Sequence, residues 1–128
     1  MNDDVRRFLD RGGIIDITTT GRTSGEPRRL EIVFHNIGGR LVISGMPIPG
    51  RTRAWLRNLE ADPRMTVHLK GAVQADLPAW GRVVTEEAER RALLAHVARN
   101  WNRSDVDVMV AHSPLVEVTV AGYEAAAA

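Results

Sequence analysis

The side chains best suited to chemistry lie in one short stretch, residues 18–29, which reads TTTGRTSGEPRR. It joins guanidinium groups, hydroxyl groups and glycine backbone within one predicted turn. Guanidinium forks and exposed backbone N–H groups are typical binders of phosphate and carboxylate. The segment therefore predicts an anion-binding turn, although its composition equally fits a solvated turn with incidental charges. The candidate ligand groups are Arg22, Thr23, Ser24, Gly25 and Arg28.

A second candidate segment covers residues 44–58, where a loop rich in glycine and proline leads into a predicted helix. Arg51 and Arg53 stand close to the start of that helix. Helix N-termini attract anions, and the flat face of Trp55 suits stacking on a ring. Asn58 follows about one turn later, near the same side of the helix. A plain core position for Trp55 is the alternative.

Several other chemistries find no support. The chain has no cysteine, which excludes a disulfide scaffold, a thiolate metal site and a cysteine nucleophile. Its four histidines are scattered without ligand spacing, so no metal site is predicted. Ser24 lies between two predicted strands, where a nucleophile elbow requires a strand followed by a helix. The sequence also lacks a P-loop and a dinucleotide fingerprint, and it identifies no catalytic residue.

Composition places these segments in a small globular protein. The 128 residues, 44% hydrophobic and 26% charged, predict a single domain over residues 1–128. The net charge of +1 gives no case for nucleic-acid binding. No apolar run approaches the roughly 20 residues of a membrane span, and the acidic N-terminus does not resemble a secretory signal. We therefore expect a cytoplasmic protein without a stable membrane anchor.

The elements that must position the candidate groups are mostly strands. β-branched and alternating residues predict strands over residues 14–20, 28–36, 40–44, 64–70, 80–85 and 115–120, with residues 71–77 undecided. Helices are predicted over residues 3–11, within an N-terminal segment of residues 1–12, and after the capping residues Thr52, Thr85 and Ser104. The tail, residues 122–128, is predicted to be frayed. Six or seven strands in this order predict a mostly β (α+β) fold, a small antiparallel barrel with helices outside.

The two candidate segments also resemble a known family. Residues 18–28, TTTGRTSGEPR, resemble the T-T-G-R-x-S-G-x-P-R turn of the deazaflavin (F420)-dependent nitroreductase-like oxidoreductases. Residues 55–63, WLRNLEADP, resemble that family's W-x-x-N-L-x-A-x-P helix. The spacing of the two motifs and the following strand also agree, so that the resemblance covers residues 13–121.

The resemblance implies a split β-barrel of the FMN-binding type that holds coenzyme F420, a deazaflavin with a phosphate and an acidic oligoglutamate tail. It implies hydride transfer from the reduced deazaflavin to a small activated acceptor such as a quinone, nitroaromatic or enone. Arg22, Ser24 and Arg28 would hold the phosphate or carboxylates. The ring would lie along the backbone of Ser44 and Gly45. The groups flanking the ring or tail would be Arg53, Ala54, Trp55 and Asn58.

Three features depart from the family pattern. Thr23 replaces a residue that is often basic, and Trp101 stands where many members carry tyrosines near the substrate. The long amphipathic N-terminal segment of some members is not part of this sequence. The alternatives are an FMN-dependent oxidoreductase of the same barrel and a non-catalytic protein that binds a flavin or deazaflavin. Open strand edges and external apolar faces make a homodimer possible.

Overall fold

The computed structural model describes residues 1–124, and in this part of the chain six antiparallel strands close into a barrel. The strands follow the order β1-β2-β3-β6-β5-β4. Their bounds are β1 Gly13–Thr20, β2 Pro27–Ile37, β3 Arg40–Ser44, β4 Arg64–Lys70, β5 Gln74–Val83 and β6 Leu115–Val120. The four helices of the described chain are α1 Asp3–Arg11, α2 Ala54–Ala61, α3 Glu87–Asn100 and α4 Val106–His112.

Every second residue of β1 points into the barrel and fills it together with apolar residues of the other strands. Ile15 and Ile17 of β1 and Val67 of β4 are at most 2% exposed, while the residues between them face outward. The barrel closes where β1 pairs with β4, with Ile17 opposite Val67. Closure removes the free strand edges that an open sheet of this size would expose. The predicted antiparallel barrel with external helices is confirmed.

A second core lies outside the barrel, between α3, α4 and the outer faces of the strands. Leu94 and Val97 of α3 are fully buried, as is Met109 of α4, and they pack in one cluster with Val42 and Leu115. The helical spacing of Leu94 and Val97 made this stripe visible in the sequence. This packing fixes α3 and α4 against the barrel, so that β6 and the segment before it are held in place.

The three predicted helix caps are wrong. The capping positions are Arg53, Glu86 and Asp105, each one residue after the predicted residue. Glu86 accepts hydrogen bonds from the backbone N–H groups of Ala88 (3.1 Å) and Glu89 (2.7 Å). A carboxylate supplies two acceptor oxygens at this position, and Thr85 supplies a single hydroxyl. Arg53 and Asp105 make no side-chain cap at all.

Two chain segments are more ordered than the sequence indicated. β5 begins at Gln74 because residues 74–77 continue the ladder with β4, where Leu69 stands opposite Ala75. Tyr123 lies in the predicted frayed tail, yet its hydroxyl donates to Asp10 Oδ1 (2.5 Å) and accepts from Asn36 (3.0 Å). The prediction therefore does not hold at Tyr123, and residues 125–128 of the tail lie outside the described residues.

Within the described chain, no helix has both the length and the apolar character to span a bilayer.

Candidate functional site

A cavity of about 480 Å³ lies between the β1–β2 turn and the first turn of α2. We call it the turn cavity. Seven of the residues predicted for the site meet at its wall: Arg22, Thr23, Ser24, Arg28, Ala54, Trp55 and Asn58. Gly21 and Leu30 complete the lining. The two sequence segments that were singled out separately thus form one site.

The β1–β2 turn has a shape that depends on Gly21. Its N–H donates to Glu26 O (2.8 Å), and its carbonyl accepts from Gly25 N–H (2.8 Å). A Cβ atom at Gly21 would lie 2.7 Å from Ser24 Oγ and 3.1 Å from Glu26 O, so a side chain there would push the Ser24 hydroxyl aside and crowd the Glu26 carbonyl group. Ser24 Oγ also accepts from Glu26 N–H (3.1 Å) and from Arg28 Nη2 (3.4 Å). The turn therefore presents Ser24 and Arg28 together.

The side chain of Asn58, a residue of α2, forms hydrogen bonds that connect this helix to the β1–β2 turn. It is 3% exposed, and its Oδ1 accepts from both the backbone N–H and the Nη1 of Arg22, each at 3.1 Å. Its Nδ2 donates to Thr19 Oγ1 at 3.2 Å. Arg22 Nη1 also reaches Ala54 O at 3.5 Å. The helix and the turn are thus held in one fixed relation across the cavity.

The N-terminus of α2 leaves its positive end open at the cavity. Arg53 occupies the capping position without a side-chain cap, and the first turn contains no acidic residue. The unpaired N–H groups of a first turn carry partial positive charge and favour anions. Ala54 is exposed and Trp55 is half-buried, and both line the cavity.

Arginines at this site differ from most others in the described part of the chain because they have no carboxylate within ion-pair distance. The site arginines are Arg22 and Arg28, which line the turn cavity, and Arg51 and Arg53, which precede α2 and do not line it. Of the other twelve arginines, eight form ion pairs with carboxylates of the described residues. Burial lowers the pKa of Arg53, and the neighbouring charge of Arg51 lowers it further. An unbalanced group of guanidinium charges at a cavity is suited to a polyanionic ligand.

A second group of predicted residues lies just outside the turn cavity. Ser44 is buried, and its hydroxyl donates to Pro114 O (2.8 Å). A Cβ atom at Gly45 would lie 3.0 Å from Pro114 Cγ and 3.5 Å from Arg53 Nη2. Arg53 Nη2 in turn donates to Met46 O (2.6 Å). The Ser44–Gly45 backbone thus runs beside the residue that starts α2.

Gly25 lines no part of the cavity. Its φ of +74° is in the left-handed region, and a Cβ atom there would meet nothing within 4 Å. Glycine therefore serves the backbone conformation of the turn at this position. Thr19 and Leu30 were missed as site residues. A polar residue on the inward side of β1 is the signal that identifies Thr19, because a buried hydroxyl requires a partner.

A larger cavity of about 640 Å³ lies between α2 and the α3–α4 pair, but it offers a weaker case for a ligand. Its rim arginines are already paired, Arg57 with Glu60 (3.0 Å) and Arg91 with Asp107 (2.7 Å). Arg90 donates to four backbone carbonyl groups there, including Ser113 O at 2.6 Å. The described residues contain no group of three side chains that could hold a metal ion.

The fold and the turn cavity together define a small barrel protein whose cavity is suited to a ligand rich in phosphate or carboxylate groups. The family described as F420H(2)-dependent quinone reductase matches residues 2–122, and the chain belongs to that family. Membership confirms the predicted class of enzyme, an F420-dependent oxidoreductase. It also favours F420 over FMN as the cofactor.

Solved structures share the fold. An F420 reductase is 14% identical with a TM-score of 0.67, and the match covers 91% of this chain and 93% of that one. An F420-H2 dependent reductase, FDR-A, is 19% identical with a TM-score of 0.59, over 84% and 94% of the two chains. A protein described as a domain-swapped dimer is 18% identical with a TM-score of 0.63, over 91% and 95%. At these identities the likeness concerns the fold.

Proposed function

We propose that this protein transfers a hydride from reduced F420 to a small activated acceptor of the quinone, nitroaromatic or enone type, with the cofactor held at the turn cavity. The observation that carries the proposal is that Arg22 and Arg28 at the wall of the turn cavity, and Arg51 and Arg53 directly before α2, all lack carboxylate partners among the described residues. F420 carries a phosphate and several carboxylates, whereas the phosphate of FMN would occupy only one or two guanidinium groups. The surplus of positive charge therefore supports F420.

Each side chain has a role that its position supports. Arg22, Ser24 and Arg28 bind the phosphate or the tail carboxylates through charge-assisted hydrogen bonds. The backbone of Ser44 and Gly45 lines the deazaflavin ring. The remaining predicted residues flank the ring or the tail at the start of α2, namely Arg53, Ala54, Trp55 and Asn58. Thr23 offers a further hydroxyl, and Gly25 shapes the turn.

The chemistry divides between the cofactor and the chain. When bound, reduced F420 supplies the hydride donor, so no nucleophile of the protein is required. The contribution of the chain is to bind the anionic groups, orient the ring and shield one face of it from water. Half-buried Trp55 at the cavity wall suits the shielding role.

The test is a titration of the purified protein with F420 and, separately, with FMN, followed by tryptophan and cofactor fluorescence. We expect micromolar or tighter binding of F420 and much weaker binding of FMN. Turnover of reduced F420 with a quinone, an enone and a nitroaromatic compound then identifies the acceptor class. Preferential binding of FMN would contradict the choice of cofactor, and binding of F420 without any turnover would leave a carrier instead of an enzyme.

A homodimer is a further proposal. The fold is shared with a protein described as a domain-swapped dimer, and this likeness supports the idea without fixing an interface. Light scattering coupled to size-exclusion chromatography tests it directly, because a 14.1 kDa chain and its dimer differ twofold in mass. A cytoplasmic location stays a prediction from the sequence.

A further inference from the structure

We infer that Asn58 and Thr19 are positioning residues that act on the cofactor through Arg22. The inference rests on the proposed function, because it explains how the turn cavity orients the guanidinium group of Arg22 before F420 binds. It also changes the role predicted for Asn58, from a direct neighbour of the ring or tail to an internal support.

Asn58 has little capacity left for a ligand. Its side-chain oxygen already accepts two hydrogen bonds, from Arg22 N and Arg22 Nη1, and these use both lone pairs. Its amide nitrogen donates to Thr19 Oγ1. Only 3% of the residue is exposed although it lies at the wall of the turn cavity, and one N–H of its amide is all that it can still offer to a ligand. Asn58 is therefore better placed to hold Arg22 in position than to bind the cofactor itself.

Arg22 gains a fixed orientation from these contacts. Only its Nη1 is engaged, by Asn58 Oδ1 at 3.1 Å and Ala54 O at 3.5 Å. Nε and Nη2 of Arg22 make no hydrogen bond to the described residues, so one edge of the guanidinium is left for an anion. An exposed arginine normally loses rotamer freedom when it binds, and holding it beforehand reduces that loss. A neutral amide does so without cancelling the charge, as a carboxylate would.

Thr19 holds the Asn58 amide from the opposite side to Arg22. Its hydroxyl lies inside the barrel with the residue 1% exposed, and it accepts from the Asn58 nitrogen. This contact anchors the nitrogen end of the amide, while the two N–H donors of Arg22 fix its oxygen end. In the flipped amide, the NH2 group of Asn58 would face the two N–H donors of Arg22, and no hydrogen bond could form between them. The chain of contacts therefore runs from the barrel interior through Asn58 to the cation at the cavity.

The decisive experiment is a double-mutant cycle on the dissociation constant for F420, with Arg22→Ala, Asn58→Ala and the double variant. If Asn58 acts through Arg22, Asn58→Ala weakens binding about tenfold in the unmodified protein and less than threefold once Arg22 is absent. Equal factors in both backgrounds would overturn the inference, because they would mean that Asn58 acts on the cofactor independently of Arg22.

A second probe separates positioning from loss of structure. The deazaflavin chromophore without its phosphate and tail should bind unmodified protein and Asn58→Ala within a factor of two, since Arg22 then has no anion to hold. An equal loss for this probe and for F420 would show that Asn58→Ala deforms the whole cavity, and would overturn the positioning role.

Thr19 provides a variant that keeps Asn58 itself. We expect Thr19→Val to weaken F420 binding about threefold to tenfold, while Thr19→Ser, which retains the hydroxyl, stays near the unmodified value. Equal effects of the two substitutions would assign Thr19 to packing alone.

Absence of F420 binding by the unmodified protein would remove the proposed function as well. Additive effects in a protein that does bind F420 remove only this inference.

Discussion

Two groups of arginines in this small protein are used in opposite ways. The site arginines stand around the turn cavity and the start of α2 without acidic partners. A paired cluster on β3, β5, β6 and α3 contains as many acids as arginines, at 2.6–2.8 Å, and its members are Arg40, Arg82, Glu89 and Glu117. Hydrogen bonds from Arg82 and Arg40 lower the pKa of Glu89 to about 2.

The difference separates charges that serve the fold from charges that serve a ligand. Carboxylates are available along the chain, with 16 acidic residues against 17 basic ones, so a uniform pairing of the arginines was possible. Eight arginines do pair with carboxylates, whereas the site arginines have no such partner among the described residues, and the charge of Arg51 lowers the pKa of Arg53. Such a group lowers stability unless an anion joins it, and it is therefore retained at functional sites.

The largest expected effect concerns the side of the molecule that holds no site arginine. Leu94 is fully buried between α3 and the barrel. Leu94→Ala should lower the free energy of unfolding by roughly 2–5 kcal/mol, because it leaves a cavity in that core. Chemical denaturation measures this value. The F420 dissociation constant of the folded variant should stay unchanged. A large change in it would mean that the core beneath α3 and the turn cavity do not act independently.

The next effect is on binding. Arg28→Ala should weaken F420 binding at least tenfold, about 1.4 kcal/mol, with almost no change in the thermal midpoint without cofactor. Arg29→Ala is the matched control, since Arg29 is the adjacent residue but pairs with Asp16 (3.0 Å) and lines no part of the turn cavity. An unchanged dissociation constant for Arg28→Ala would remove Arg28 from the site.

A smaller effect is expected in the paired cluster. Arg82→Ala removes contacts to Glu89 and Glu117 on a surface where Arg82 is about half exposed. Exposed pairs are worth little individually, so the free energy of unfolding should fall by about 1 kcal/mol or less. F420 binding should not change. A loss of F420 affinity comparable to that of Arg28→Ala would mean that the paired cluster also serves the ligand.

The smallest effect is a dependence of stability on pH. The pKa of Glu89 is lowered to about 2 in the folded protein, from an ordinary value of 4.5. Its stabilising contribution is therefore present above about pH 4.5 and is lost as the pH falls toward 2. The thermal midpoint should decline more steeply over this range in unmodified protein than in Glu89→Gln. Parallel declines would show that the ion pairs of Glu89 add nothing to stability.

Much of this arrangement could be predicted from the sequence because strand alternation and paired motifs are local signals. The interior positions of β4 followed from a period-two pattern, β1 followed from its β-branched residues, and the two segments that form the turn cavity were each visible from their residue types. The undecided residues 71–77 show the limit. Pro78 interrupts the local pattern of β5, and only pairing with β4 makes its preceding residues a strand.

Other parts depend on contacts that no local pattern contains. Thr52 and Thr85 look like caps, yet the helices start one residue later, where Glu86 offers two acceptor oxygens. Gly25 looked like a ligand position beside Arg22 and Ser24, but the turn directs it away from the cavity. The positioning role inferred for Asn58 could not be predicted from the sequence, because its hydrogen-bond partners lie 36 and 39 residues away along the chain.

The crowding around Gly21 has a consequence for how this fold can diverge. A Cβ atom there would lie 2.7 Å from Ser24 Oγ and 3.1 Å from Glu26 O, so an added methyl group would move the Ser24 hydroxyl from its position beside Arg28. The barrel core, made by other residues, would be untouched. One nucleotide change at this codon can therefore weaken the proposed ligand site while the barrel core stays intact, and a descendant lineage would inherit a barrel that is free to acquire another ligand.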